Sequence, residues 1–194
     1  MRNLRALISY DGSKFFGWQR QDGFWSVQEA VEQAVEAATG EKVTVFGAGR
    51  TDTGVHALRQ VANFHVESSL SDDRLRHALN AHISEGAAIE RIETCDEEFH
   101  ARFSACGKRY LYRIGTSRFR RPFPEEYEHW INQPLDLPAM TEAASALIGT
   151  QSVVQAKCLS EIVSMLFSGQ ADQPQPQPQP EPQPETEPFP QPQP

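Results

Sequence analysis

Ser26-Val27-Gln28-Glu29-Ala30-Val31-Glu32-Gln33-Ala34-Val35-Glu36-Ala37-Ala38-Thr39-Gly40 reads as one complete helix, and the rest of the fold is counted outward from it. Ser26 and Glu29 form a capping box, in which the serine caps the helix start and the glutamate reaches back. Val27, Ala30, Val31, Ala34, Val35 and Ala38 recur at helical spacing, and Gly40 supplies the stop. Upstream, Leu4 to Tyr10 alternates as a strand with Leu4, Ala6, Ile8 and Tyr10 on one face. Asp11-Gly12-Ser13 breaks it. Phe15, Phe16 and Trp18 follow as an aromatic loop, read either as core or as a contact surface for bases. Downstream, Lys42 to Phe46 and Gln60 to Val66 read as strands. Ser71 is placed as the cap of a second helix carrying Leu75, Ala78, Leu79 and His82. Ala87 to Ile92 reads as a fourth strand. The order β-α-β-β-α-β is the split βαβ arrangement, an α+β class with an antiparallel sheet.

Beyond it, Lys108 to Gly115 alternates as a further strand, with Tyr110, Tyr112 and Ile114 on one face. Pro138 to Ile148 reads as a helix with Ala139, Ala143, Ala146 and Leu147 buried and Gly149 ending it. Gln151 to Phe167 fits one more amphipathic helix. From Asp172 to Pro194 a Pro-Gln repeat with glutamates can neither bury apolar area nor form a ladder, so an extended, disordered tail is expected. The expected organisation is an N-terminal α+β domain over residues 1–105, an incomplete second α+β domain over 106–168 and a tail over 169–194.

The 194 residues suffice for one domain and part of a second. No apolar run reaches the length of a membrane span, and no signal-peptide pattern follows the first residues. Cys95, Cys106 and Cys158 form no CxxC pair, which argues for reduced thiols and against a zinc site or a disulfide framework. A cytoplasmic setting is expected. The net charge of −8 speaks weakly against nucleic acid, but its distribution says more. Between His100 and Arg121 stand Arg102, Lys108, Arg109, Arg113, Arg118, Arg120 and Arg121, with no Asp or Glu. Phe103, Tyr110, Tyr112 and Phe119 lie among them. Cations that meet phosphates and rings that stack on bases fit an RNA surface. A solvated edge strand with a basic face is the plainer reading.

Gly49-Arg50-Thr51-Asp52-Thr53-Gly54-Val55-His56-Ala57 carries the most chemistry. A chain reversal here exposes the Asp52 carboxylate, and Arg50 is near enough to pair with it and hold it ionised. An oriented carboxylate on a rigid turn suits nucleophilic or general-base work. An ordinary polar turn would use the same residue types.

Five motifs in order then identify a likeness. They are Tyr10-Asp11-Gly12-Ser13 with Phe16-Gly17-Trp18-Gln19-Arg20; Ser26-Val27-Gln28-Glu29; the Gly49–Ala57 segment; Phe99-His100-Ala101-Arg102-Phe103-Ser104-Ala105; and Lys108-Arg109-Tyr110-Leu111-Tyr112. Across roughly residues 1–150 the chain resembles the TruA-type tRNA pseudouridine synthases. The resemblance implies isomerisation of uridine to pseudouridine in the tRNA anticodon arm, positions 38 to 40, with no metal or organic cofactor. It implies Asp52 as the catalytic carboxylate, acting on the ribose as nucleophile or as base. Tyr110 would stack on the flipped uracil, and Arg50 would pair with Asp52 and help hold the base out. Arg20, His56, Arg102, Lys108 and Arg109 are candidate RNA contacts. His56 is read first as a turn-stabilising residue.

The likeness stops near Gly149-Thr150. The family's second half, which implies a further basic residue against the aspartate and an apolar wall for the uracil, has no counterpart in Gln151 to Pro194. The resemblance also implies a homodimer, whose interface the missing second half would weaken. The expectation is a truncated or replaced C-terminal half, an open and wetter Asp52 pocket and weak or absent isomerase activity. An inactive RNA-binding remnant is the alternative. A protein-interaction adaptor working through the Pro-Gln tail is a third class.

Overall fold

The computed structural model describes residues 1–120, 122–123, 127–145 and 148. They fall into two compact units, Met1–Tyr110 and one beginning at Leu111. The first unit contains strand β1 (Arg2–Tyr10), a 3-10 turn at Gly12–Lys14, helix α1 (Val27–Thr39), strands β2 (Phe46–Gly47) and β3 (Ala57–Val66), helix α2 (Asp72–His82) and strand β4 (Ala87–Thr94). The four strands form one antiparallel sheet in the order β2-β3-β1-β4. This is the expected β-α-β-β-α-β order, with the longest pairings on the central strand β1.

Leu4, Ala6, Ile8 and Tyr10 of β1 are buried, as their alternation requires. Leu4 pairs across β3 with Phe64, and Ala6 with Ala62. These side chains, with Val66, Ile89 and Ile92, form one core with Val27, Ala30, Val31 and Val35 of α1 and Leu75 and Leu79 of α2. The Ser26 cap and the Gly40 stop of α1 are as read: the Ser26 hydroxyl accepts from Glu29 N–H, and Gly40 takes a left-handed φ of 77°. The reciprocal bond of the expected box is not made, because the Glu29 carboxylate turns toward Arg20 at 3.9 Å instead. At α2 the cap differs from expectation. Ser71 makes no side-chain cap bond. Asp72 instead binds Arg2 Nη1 at 2.7 Å and Thr94 N–H at 2.8 Å, tying the helix start to the sheet. His82, expected with the apolar residues of α2, is exposed.

Strand β2 begins where Lys42–Phe46 was expected to end. The reason lies in α1. Glu32 Oε1 accepts the Val45 N–H at 3.1 Å and Gln28 Nε2 donates to the Val45 carbonyl at 3.1 Å, so helix side chains take the bonds a ladder would use. On the sheet face away from the helices, Asn3 and Asn63 are buried and bonded to each other at 3.1 Å. Asn3 Nδ2 donates to the Phe99 carbonyl and Asn63 Oδ1 accepts from Ala101 N–H, which holds the 96–101 segment over the sheet.

In the second unit, β5 (Ile114–Gly115) pairs in parallel with β6 (His129–Trp130), and α3 spans Leu137–Ser145. The expected strand over Lys108–Gly115 is therefore corrected to its last two residues. Alternation alone does not make a strand, because each backbone polar group also needs a ladder partner. The buried stripe on the third helix is corrected as well. No residue of α3 is buried, Ala139 is exposed and Ala143 half-buried. Ala146, Leu147, the helix expected over Gln151–Phe167 and the Pro-Gln tail lie outside the described residues.

Candidate active site

Asp52 opens a tight turn. Its carbonyl accepts the Val55 N–H at 3.1 Å, and Gly54, third in the turn, has φ 81°. A positive φ at the third position alone is the type II pattern, which glycine adopts without strain. Asp52 and Thr53 are exposed at the tip. The turn runs directly into β3, where the pairing with β1 slips by one residue between Ile8 and Tyr10. Such bulges re-aim a strand end.

What fixes this turn is the segment between β1 and α1. The Tyr10 hydroxyl lies 2.8 Å from Thr51 Oγ1. The Gly12 carbonyl accepts Gly54 N–H at 3.2 Å. A Cβ on Gly12 would fall within 3.0 Å of the Val55 carbonyl, so no side chain fits there. Gly17, at φ 81°, lies under Thr51, whose oxygen would stand 2.6 Å from an added Cβ. Trp18 N–H donates to that Thr51 oxygen at 3.0 Å. The carbonyls of Gly17 and Trp18 in turn accept the first amides of α1, from Val27 at 3.1 Å and Gln28 at 3.0 Å. Gly17 and Trp18 thus join the helix start to the Asp52 loop. The glycines in the Asp-Gly-Ser and Phe-Gly-Trp motifs exist because two backbones touch there.

A family model described as tRNA pseudouridine synthase matches residues 6–104, more than half of the chain and all of this bedding. The chain belongs to the tRNA pseudouridine synthase family. It is 43% identical over 150 residues to the tRNA pseudouridine synthase A of Acetivibrio thermocellus, covering 77% of this chain and 62% of that protein. It is similarly 43% identical over 152 residues to the Agrobacterium fabrum protein of the same name (77% and 57% covered) and 42% identical over 165 residues to that of Maricaulis maris (83% and 66% covered). The chain therefore spans about three fifths of the length of the curated relatives it matches.

Within this pseudouridine synthase family member, the candidate residues are distributed unevenly. Arg50 and Asp52 are both exposed, and among the described residues they form no ion pair. The expected pairing is thus not made here. An exposed pair gains little over separate hydration. Lys108 does reach the loop: a Cβ on Gly49 would run into its ammonium group, so a cation lies at the root of the Asp52 turn. Tyr110 closes the first unit and is 66% exposed, so it is not core. Arg109 is exposed. Arg102 is also exposed, with its guanidinium 5.8 Å from the Phe103 ring centre. Arg20 is held by Glu32 at 2.9 Å, which ties it to α1.

His56 sits at the end of the turn with Nδ1 3.1 Å from the Gly12 N–H and 3.0 Å from Asp11 Oδ1. The Ser13 hydroxyl, aided by the Ser13 amide and by the nearby His56 and Lys14, holds Asp11 below the usual carboxylate range. Burial pushes the Tyr10 hydroxyl above its ordinary value, against the opposing bond to Thr51. Asp11 and Tyr10, which contact His56 and Thr51 at the two ends of this loop, are not among the sequence candidates. Asp11 reads locally as a strand breaker, and its partner lies 45 residues away. The usable signal was the pair of glycine motifs, each requiring a close backbone neighbour.

Proposed function

We propose that this chain acts on tRNA as a pseudouridine synthase, converting uridine in the anticodon arm, positions 38 to 40, with Asp52 as the catalytic carboxylate. The reading rests on one observation above all: Asp52 is offered to solvent on a turn whose backbone is fixed from below by Gly12, Gly17 and Trp18. A reacting group held in place reduces the entropic cost of reaching the transition state. The net change breaks the N1–C1′ glycosidic bond, forms a C5–C1′ bond, gives N1 a proton and releases the C5 hydrogen. Asp52 would act on the ribose, as nucleophile or as base. Exposed Tyr110 suits stacking on an extruded uracil, and Arg50 suits holding that base or its phosphate. Lys108, Arg109 and Arg102 suit phosphate contacts. His56 and Arg20, already engaged with protein groups, are weaker candidates for RNA.

Among the described residues, no helix is long and apolar enough to cross a membrane; the cytoplasmic setting belongs to the proposal. So does the division into a catalytic-loop domain over 1–105, an incomplete second α+β domain over 106–168 and a tail over 169–194. A second reading, an RNA-binding module without isomerase activity, is favoured by the openness of Asp52. Electrostatic catalysis weakens where water enters. The test is tritium release from tRNA labelled at uracil C5. Release by the wild-type chain and none by Asp52→Ala supports the enzyme. Absence of release with retained tRNA binding in both would replace it with the binding module.

A further inference from the structure

We propose that Asp11 and His56 are positioning residues for Asp52, joined through one imidazole nitrogen that ties the Asp11–Lys14 turn to the end of the Asp52 turn. The inference rests on the reading of Asp52 as the reactive group, and it extends that reading to two residues that do not touch the substrate.

The geometry carries it. His56 Nδ1 stands 3.1 Å from a donor, the Gly12 N–H, and 3.0 Å from an acceptor, Asp11 Oδ1. A neutral imidazole with its proton on Nε2 accepts from Gly12. An imidazole protonated at Nδ1 donates to Asp11. One nitrogen cannot do both at once, but each arrangement binds the same dipeptide. The tie therefore survives a change of protonation. Ser13 braces the other partner, since its amide and hydroxyl both donate to Asp11 Oδ1 at 3.0 and 2.7 Å. Next to the tie, Gly54 N–H donates to the Gly12 carbonyl and Gly12 is pressed against Val55. Thr51 is held from the other side by Tyr10 and Trp18. The five-residue arc from Thr51 to Val55 is thus pinned near both ends, with Asp52 between. Loss of the His56 end would free the Gly54–Val55 half while leaving the Thr51 half in place.

The experiment uses the full chain with His56→Ala, His56→Asn and Asp11→Asn. An asparagine amide occupies roughly the place of Nδ1 and can either accept from Gly12 or donate to Asp11. Hydrogen exchange at the Gly12 and Gly54 amides, read by NMR, needs no activity. Tritium release gives kcat and KM on tRNA, and thermal melting reports the fold. In His56→Ala, exchange at both amides should quicken by roughly tenfold or more while the melting midpoint is largely kept. The kcat should fall on the order of 10- to 100-fold with KM within about threefold, since a displaced carboxylate lowers the chemical step more than binding. His56→Asn should restore most of both. Asp11→Asn should show a smaller change in the same direction. Unchanged exchange at Gly12 and Gly54 in His56→Ala would overturn the proposal. So would equal impairment of His56→Ala and His56→Asn with a collapsed melting midpoint, which would mark a merely structural residue. A wild-type chain that releases no tritium would end the isomerase reading, while the exchange result would still decide whether the tie exists.

Discussion

Gly12 and Val55 share one space: the Val55 carbonyl stands where a side chain on Gly12 would begin. The contact is between two backbones, so neither partner can swing aside as a flexible side chain could. Gly12→Ala should therefore move the Asp52 turn. We expect a loss of about 1–3 kcal/mol from overpacking and a fall in tritium release on the order of 100-fold. Urea denaturation and the release assay, run together, check it; an alanine variant with wild-type values in both would show that the turn yields freely.

Asp52→Ala separates chemistry from folding. The side chain is exposed and unpaired among the described residues, so its removal should change stability by no more than about 0.5 kcal/mol. Isomerisation should vanish. A large drop in the melting midpoint would mean that the carboxylate has a structural partner and that lost activity says nothing of catalysis.

Tyr10→Phe removes one hydroxyl from a nearly buried ring and leaves Thr51 without that partner. A cost of about 1 kcal/mol is expected. The pH behaviour carries a sign. Burial raises the Tyr10 pKa in the folded state, so its contribution is whole below the unfolded value of about 10 and is lost as pH rises through the folded value. Above pH ~10 the wild type should lose stability faster than the phenylalanine variant; parallel stability curves in that range would contradict this.

Asn63→Ala removes the acceptor for the Ala101 N–H and a partner of Asn3, in a place where both asparagines are 1% exposed. Each buried polar group left unpaired costs about 1–3 kcal/mol. The 96–101 segment should become the first region open to proteolysis. Limited digestion with mass mapping checks this, and cleavage elsewhere first would refute it.

Much of the sheet domain was legible in the residues. Val27 through Val35 at helical spacing, the Ser26 cap and Gly40 located α1 almost to the residue. The alternation of Leu4 to Tyr10 gave the core face of β1. These signals are local, because each residue's neighbours along the chain decide its state. The misreadings share the opposite cause. Val45 resembles a strand residue, yet Gln28 and Glu32 of α1 claim its backbone. Tyr110 and Tyr112 alternate as a strand would, but no described strand lies beside them. Ala139 and Ala143 repeat as a buried stripe does, although burial depends on what packs there. Asp52 was visible as a candidate because turn residues flank it. Asp11 was not, because its partner His56 lies far along the chain. Arg50 was expected to pair with Asp52 by closeness in sequence, and exposure removes the advantage of doing so.

The Gly17–Trp18 dipeptide has one more consequence. It receives the first amides of α1 on its carbonyl side and gives its Trp18 amide to Thr51 on the other. Fraying of the helix at Val27 would loosen the same dipeptide that supports Thr51. The Asp52 turn and the opening turn of α1 should therefore behave as one cooperative opening unit rather than as a loop flexing independently of a helix. The lifetime of the reactive geometry would then be set by a helix end, and improved capping at Ser26 would lengthen it without any change to a residue that meets the substrate.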